Sequence, residues 1–142
     1  MGKIMTKLTL TNQLDWGNAQ AGQLDPAKVR SVDVEALVDT GATMLVLPAD
    51  VCRTLGLRLE GTRRVRYADG RVKEIPWVGG VRIGILGRDM TCDALVEAEG
   101  TTPLIGQIPL EGLDLVVDPK SRDVTVNPAS PDLPLLDLLR VA

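Results

Sequence analysis

The chain has 142 residues, of which 44% are hydrophobic and 25% are charged, and its formal net charge is −3. This length and mixture predict one globular domain with its own core, and they exclude a disordered chain. The mild charge, without a stripe rich in lysine and arginine, argues against a nucleic-acid interface.

The first half of the chain predicts strands around one short helix. Residues 13–28 are polar and broken by glycines and a proline, so they predict a solvated loop. Pro48 is expected to open a helix at 49–55, which Gly56 ends in the left-handed conformation. The strands of this half, judged from alternating or continuous apolar residues, are predicted at residues 4–11, 29–38 and 44–47.

The second half predicts two hairpins followed by short elements. Asp69 and Gly70 stand between two strand-like runs, and Asp-Gly in that position is a strong hairpin signal. A second hairpin is expected around Gly87, and one helical turn is expected at 107–112. The strands of this half are predicted at residues 57–60, 63–67, 71–78, 81–86, 90–96, 113–117 and 123–127.

These elements predict an all-β domain, mainly antiparallel and closed as a barrel or sandwich, with one or two short helices. Neither a repeat of solenoid length nor βαβ alternation is present in the sequence. Arg63, Arg64 and Arg66 are expected to form a solvated strand edge, since such residues discourage edge pairing. The domain is predicted to occupy residues 1–127, followed by a C-terminal tail at 128–142.

Absent residue types limit the chemistry. The sequence has no histidine, which excludes Ser-His-Asp and Cys-His catalysis and histidine-ligated zinc. Cys52 and Cys92 are too few for a disulfide framework or a zinc site, and we expect reduced thiols. No signal peptide and no membrane-spanning run is apparent, so we expect a cytoplasmic protein without membrane contact. No metal or organic cofactor is implied.

One stretch, residues 36–43, carries an acid at a sharp turn directly after a buried strand. Asp39 is followed by Thr40 and Gly41, and no other Asp in the chain precedes Thr-Gly or Ser-Gly. The Thr40 hydroxyl can hold the loop, and Gly41 lets the backbone turn sharply and approach a substrate closely. The chain therefore supplies one carboxylate of this kind.

Residues 37–43, Leu-Val-Asp-Thr-Gly-Ala-Thr, resemble the active-site motif of aspartic proteases, and the small size resembles the single-domain retroviral type, the retropepsins. Further features match in order, because a short helix follows the motif, an Asp-Gly hairpin occupies the place of the flap, and Leu-Ile-Gly comes late. The resemblance covers residues 29–127. It departs at Gln107 and Pro109, where retroviral enzymes carry a charged residue and then a full helix.

The resemblance implies an aspartic endopeptidase that acts on protein or peptide substrates. Because two carboxylates must share a proton for this chemistry, it requires a homodimer that brings Asp39 of each subunit together. Other residues are assigned by the same resemblance. Catalytic roles fall to Asp39, Thr40 and Gly41, substrate contacts to Ala42, Tyr67, Ala68, Asp69 and Gly70, and support of the loop to Leu104, Ile105 and Gly106.

The tail at 128–142 is rich in proline and then in leucine, an apolar end that a monomer would struggle to hide. The resemblance suggests a dimer-interface segment, with packing onto its own body or occupation of the substrate groove as alternatives. A second hypothesis for the whole chain is a protease-like module that binds peptides or dimerises without cutting. The intact Asp-Thr-Gly argues against that module, and the altered segment after Gly106 argues for it.

Overall fold

The computed structural model of the protein describes residues 3–140 as one strand-rich body. The elements, in chain order, are β1 Met5–Asn12, α1 Gln13–Gln20, a 3-10 turn Pro26–Lys28, β2 Ser31–Val38, β3 Leu45–Pro48, α2 Ala49–Leu55, β4 Leu59–Arg66, β5 Val72–Ile85, β6 Arg88–Glu97, β7 Leu104–Ile105, α3 Gln107–Gly112, β8 Leu115–Asp118 and β9 Asp123–Val126.

Six strands form a closed ring in the order β1-β2-β7-β3-β6-β5, because β5 pairs back with β1. The β2–β7 and β3–β6 pairs are parallel and the other pairs of the ring are antiparallel. β4 extends the sheet by pairing with the first half of β5, and β8 and β9 form a separate two-stranded sheet. The predicted all-β, mainly antiparallel and closed architecture is confirmed.

The interior of the ring is aliphatic, in keeping with a sequence that has no phenylalanine. Alternation along β1 buries Leu8 and Leu10 completely, and Leu45 and Leu47 of β3 meet them from across the ring. Each such side chain contributes about 1.5–3 kcal/mol by leaving water. α2 and α3 cap this core with Leu55 and Leu110.

The prediction of a solvated loop at 13–28 is wrong for its first half, which forms α1. This helix has no apolar face that could pack on the core, and it is stabilised by polar contacts instead. The Asn12 side chain accepts the Asp15 N–H at 3.0 Å and donates to the Leu55 carbonyl at 2.8 Å. The Arg30 guanidinium donates to both Asp15 oxygens, which lowers the pKa of that carboxyl. These contacts offset the low helix propensity of glycine.

Two predicted strand breaks are bulges within longer strands. The runs at 57–60 and 63–67 join as β4, with a register shift between Leu59 and Gly61. The runs at 71–78 and 81–86 join as β5, with a shift between Val78 and Val81. Glycines at these points bend the strand without ending the ladder. The predicted stop of α2 is confirmed, since Gly56 has φ 63°.

The C-terminal tail leaves its leucines in solvent. Residues 127–140 contain neither a helix nor a strand, and five leucines of this segment are 60–96% exposed, namely Leu133, Leu135, Leu136, Leu138 and Leu139. Val141 and Ala142, which complete the predicted interface segment, lie outside the described residues. Of the helices within residues 3–140, none has the length and apolar character needed to cross a membrane.

Candidate active site

The acid-bearing loop lies where β7 separates β2 from β3. β7 runs parallel to the end of β2, with Leu37 opposite Leu104, and it pairs with β3 through Val46. The loop at 39–44 therefore connects two strands that lie on opposite sides of β7. This topology places Asp39 directly over the chain that follows Ile105.

Main-chain hydrogen bonds fasten the loop to that segment. The Asp39 N–H donates to the Ile105 carbonyl at 3.0 Å. On the far side of the loop, the Gln107 N–H donates to the Ala42 carbonyl at 2.7 Å and the Ile108 N–H donates to the Thr43 carbonyl at 2.9 Å. Both ends of the loop are thus fixed by backbone groups, which constrains the position of the acid.

Glycine is needed at position 106 because there is no room for a side chain, and not because of the backbone conformation. Its φ is −99°, which any residue tolerates. A Cβ at this position would lie 2.5 Å from the Met44 carbonyl oxygen and 2.7 Å from that of Ala42. The loop and the β7–α3 segment therefore touch at a point where only glycine fits.

The Asp39 carboxylate closes a tight turn of its own. Its Oδ1 accepts the Gly41 N–H at 2.9 Å, and the Ala42 N–H donates to the Asp39 carbonyl at 3.1 Å. The side chain is half-buried and borders two cavities, one on each side. The carboxylate is therefore positioned by the backbone and remains accessible.

The larger cavity is a groove of about 870 Å³ between the Asp39 loop and residues 63–68. Its floor is an apolar patch formed by Val46, Ile75, Leu95 and Leu104. Ile75 is 4% exposed yet does not belong to the core cluster inside the ring. The groove floor is thus a second apolar surface, separate from the core and open towards the acid.

The predicted substrate residues divide between the groove and the hairpin tip. Asp39, Gly41 and Leu104 line the groove together with Ala42, Tyr67 and Ala68. Asp69 and Gly70 are not among the described residues that line it. They form the turn at the tip, where the Asp69 carboxylate accepts the Arg71 N–H at 2.9 Å.

The smaller cavity, of about 490 Å³, lies on the opposite side of the acid. Thr40 is exposed and lines this cavity with Asp39, Ile4, Val117 and Pro119. Ile105 and Gly106, predicted to support the loop, are buried behind it. The Asp-Thr-Gly tripeptide therefore borders two distinct surfaces, one with Asp39 and Gly41 and the other with Asp39 and Thr40.

Glu97, which no sequence motif marks, is brought to the groove by the fold. The Tyr67 hydroxyl donates to Glu97 Oε1 at 2.6 Å, and this hydrogen bond raises the pKa of Tyr67. The contact ties the β4–β5 hairpin to the end of β6. The groove-floor residues on β3, β5 and β6 were also missed, because apolar alternation does not tell which face of a strand looks into a groove.

A polar cluster around Arg88 was missed as well. Arg88 is 7% exposed, and its Nη1 donates to the carbonyls of Leu113 and Asp114, both at 2.9 Å, while Nη2 donates to the Ser130 carbonyl. The Asp114 carboxylate accepts the Ser130 hydroxyl and the Leu135 N–H. This cluster fastens the start of the tail to the body.

No metal centre is suggested by the described residues. Within residues 3–140, no group of three or more acidic, cysteine or histidine side chains is placed to hold a metal ion. Cys52 and Cys92 are free thiols, and burial raises their pKa values to about 11 and about 12. The carboxylates that line the groove are those of Asp39 and Glu97, and the Glu97 carboxylate accepts the Tyr67 hydroxyl.

An acid on a glycine turn, held over β7 and facing a hairpin across an apolar groove, defines a retropepsin-like aspartic protease. Residues 26–112 match the family described as gag-polyprotein putative aspartyl protease. This match covers more than half of the chain, and the protein belongs to that family.

A solved structure supports the fold. The EIAV protease complexed with the inhibitor HBY-793 is similar to this chain, with a TM-score of 0.56 and 19% sequence identity. The superposition covers 79% of this chain and 88% of that one. The curated proteins contain no match to the chain.

Proposed function

We propose that this protein is an aspartic endopeptidase whose catalytic pair consists of two Asp39 carboxylates, one from each of two copies of the chain. The observation that carries the proposal is the placement of Asp39. Its carboxylate is fixed by a backbone turn at the edge of a groove with an apolar floor. The chain holds one Asp-Thr-Gly, so a second copy has to complete the pair.

Two carboxylates side by side can perform the chemistry of amide hydrolysis. They share one proton, because like charges at that distance do not both ionise easily. The ionised member takes a proton from a water molecule, which attacks the carbonyl carbon, and the protonated member donates its proton to the carbonyl oxygen. The proton taken from water then passes to the leaving nitrogen as the carbon–nitrogen bond breaks, and one hydroxyl of the diol intermediate returns its proton to the carboxylate pair.

The loop residues around Asp39 have separate roles in this proposal. Gly41 leaves its side of the groove open, so that a peptide backbone can approach the acid. Thr40 is exposed beside the smaller cavity, on the side away from the groove. We assign the Thr40 side to the approach of the second copy, because a two-fold axis there brings identical residues together.

The substrate is proposed to bind as an extended strand. Residues 63–68 and the apolar floor together line the groove, which suits an extended peptide whose alternate side chains enter pockets. An aliphatic side chain fits the floor of Val46, Ile75 and Leu95. The exposed leucines of the tail at 128–142 are proposed to contribute to the dimer interface.

The test compares the wild type with Asp39→Asn on a library of peptides at mildly acid pH. We expect cleavage to fall by about 1,000-fold or more in the variant, with unchanged folding, because Asn cannot share a proton. Asp25→Asn is the matched control and should cleave normally, since Asp25 caps the 3-10 turn and lines neither cavity.

Sedimentation of the wild type tests the second copy. A stable monomer at working concentration with intact peptidase activity would contradict the paired mechanism. Equal cleavage by wild type and Asp39→Asn would contradict the role of the acid. Peptide binding without any cleavage by the wild type would favour a binding module instead.

A further inference from the structure

Arg63 lies on the face of β4 that looks towards the groove. In the β4–β5 pair, Arg63 is directly opposite Ile75, and side chains directly opposite one another in antiparallel strands lie on the same face. Ile75 is buried and forms part of the groove floor. The alternation of β4 therefore puts Arg63 at the side of the groove, next to an apolar pocket.

The guanidinium of Arg63 is held by an aromatic ring. Its central carbon lies 4.2 Å from the centroid of the Trp77 ring, within the range of a cation–π contact. Gly61 makes room for this indole, because a Cβ there would lie 3.1 Å from the Trp77 Nε1. Three residues thus build a shelf that keeps the Arg63 cation beside the groove.

Within residues 3–140, no carboxylate forms an ion pair with Arg63. Its neighbour Arg64 belongs to the opposite face of β4, where its cross-strand partner Glu74 lies 3.5 Å away. The two arginines therefore differ in kind. Arg64 also borders the groove but is already paired with Glu74, whereas the donors of Arg63 pair with no carboxylate of the described residues.

The acidic side chains that line the groove are Asp39 and Glu97. Glu97 accepts the Tyr67 hydroxyl, and Tyr67 is four residues from Arg63, roughly 13 Å of extended chain. The cross-strand partner of Trp77 is Leu95, which precedes Glu97 by two residues on β6. Glu97 is thus engaged by Tyr67, and it forms no ion pair with Arg63 among the described residues.

We propose that this groove selects peptides that carry an acidic side chain two residues away from an aliphatic one, with the acidic group bound by Arg63 and the aliphatic group on the Ile75 floor. The inference rests on the proposed peptidase function and names its substrate class. Side chains two apart on an extended peptide point the same way and are about 6.6–7 Å apart. Cross-strand neighbours such as Arg63 and Ile75 are about 5 Å apart at Cβ, and the long arginine side chain spans the remaining distance. A guanidinium with free donors binds a carboxylate in a forked geometry.

The test uses peptides that differ only in charge. A parent peptide with an aliphatic residue at its centre is varied by placing Glu, or the isosteric Gln, at each flanking position in turn. We expect kcat/KM of the wild type to favour Glu over Gln by about three- to tenfold at a position two residues from the aliphatic one. The ratio should shrink as salt is added, because the contact is partly exposed.

Two variants decide whether Arg63 is the cause. In Arg63→Gln the Glu-to-Gln ratio of kcat/KM should fall to about one. Arg64→Gln removes the same charge from the opposite face and should retain the preference. A wild-type ratio of one at every position, or equal loss of preference in the two variants, would overturn the proposal.

Failure of the peptidase function gives a distinct result. If the wild type cleaves neither peptide, the same pair is labelled and its binding to the wild type and to both variants is measured by fluorescence anisotropy. Tighter binding of the Glu peptide that is lost only in Arg63→Gln would support the selectivity without cleavage. Equal binding of the Glu and Gln peptides to the wild type would refute it.

Discussion

The Asp39 loop and the C-terminal cluster around Arg88 are both irregular segments, yet they are fixed by different means. The loop is held by hydrogen bonds between backbone groups, and Gly106 allows the β7–α3 segment to approach it closely. The start of the tail is held by a buried guanidinium and a carboxylate, whose partners are carbonyls, a hydroxyl and an N–H.

The difference matters for function. Backbone contacts position the loop whatever side chains surround it, so the acid keeps its place while the groove walls can vary to suit a substrate. The C-terminal cluster depends on a few side chains that come from distant parts of the chain. We therefore expect the Asp39 loop to be destabilised by added side-chain volume, and the Arg88 cluster to be destabilised by loss of a charged group.

The largest effect is expected for Gly106→Ala. The new Cβ would meet two backbone carbonyl oxygens of the Asp39 loop, at 2.5 and 2.7 Å, and neither can move alone. We expect a loss of folding free energy on the order of 4 kcal/mol together with loss of cleavage. Denaturant unfolding measures the free energy of folding, and a peptide assay measures cleavage.

Gly112→Ala is the control for this substitution. Its Cβ would lie 2.7 Å from the Met90 sulfur, which is the mobile part of a flexible side chain. We expect a cost of about 1 kcal/mol or less. If both alanine variants lose the same stability, the steric argument for Gly106 fails.

A smaller loss is expected for Arg88→Met in the second region. Methionine fills part of the space but leaves the carbonyls of Leu113 and Ser130 without their donor. We expect about 2–3 kcal/mol of lost stability and faster cleavage of the tail by an added protease. Arg58→Met removes an exposed arginine that pairs with Glu60 and should change stability by about 0.5 kcal/mol or less. An unchanged unfolding curve for Arg88→Met would show that the cluster does not hold the tail.

The same contrast explains what could be predicted from the sequence. The Asp39 turn, the role of Gly106 and the end of α2 at Gly56 depend on local requirements that only a few residue types meet. The closed sheet followed from short apolar runs separated by turn residues. These features could be predicted because each depends on residues that are neighbours in the sequence.

The missed features depend on contacts between distant residues. α1 forms because Asn12 and Asp15 find partners at Leu55 and Arg30, and its own sequence lacks an apolar stripe. Arg88 stands in an ordinary hairpin sequence, and its partners are about 25 to 42 residues further along. No local pattern marks such a pair. The acid-bearing loop could therefore be predicted from the sequence, whereas the residues that form the walls of its groove could not.

The smallest of these effects is a change in acid stability that isolates the C-terminal cluster. The hydroxyl of Ser130, with the N–H of Leu135 and the amide of Asn127, lowers the pKa of Asp114 from 3.8 to about 2. A carboxyl with a lowered folded pKa stabilises the fold above its unfolded pKa and loses that contribution as the pH falls towards the folded value. The stability contributed by Asp114 should therefore be complete above about pH 5 and disappear between about pH 4 and pH 2.

Asp15, Asp33 and Asp118 also have lowered pKa values, so the wild type loses stability from several groups in this range. Asp114→Asn separates the contributions, because Asn tolerates the left-handed φ of 53° at this position and does not titrate. The variant should be less stable than the wild type at neutral pH, and the two unfolding curves should converge as the pH approaches 2. A stability difference that stays constant from pH 6 to pH 2 would mean that the charge of Asp114 does not hold the tail.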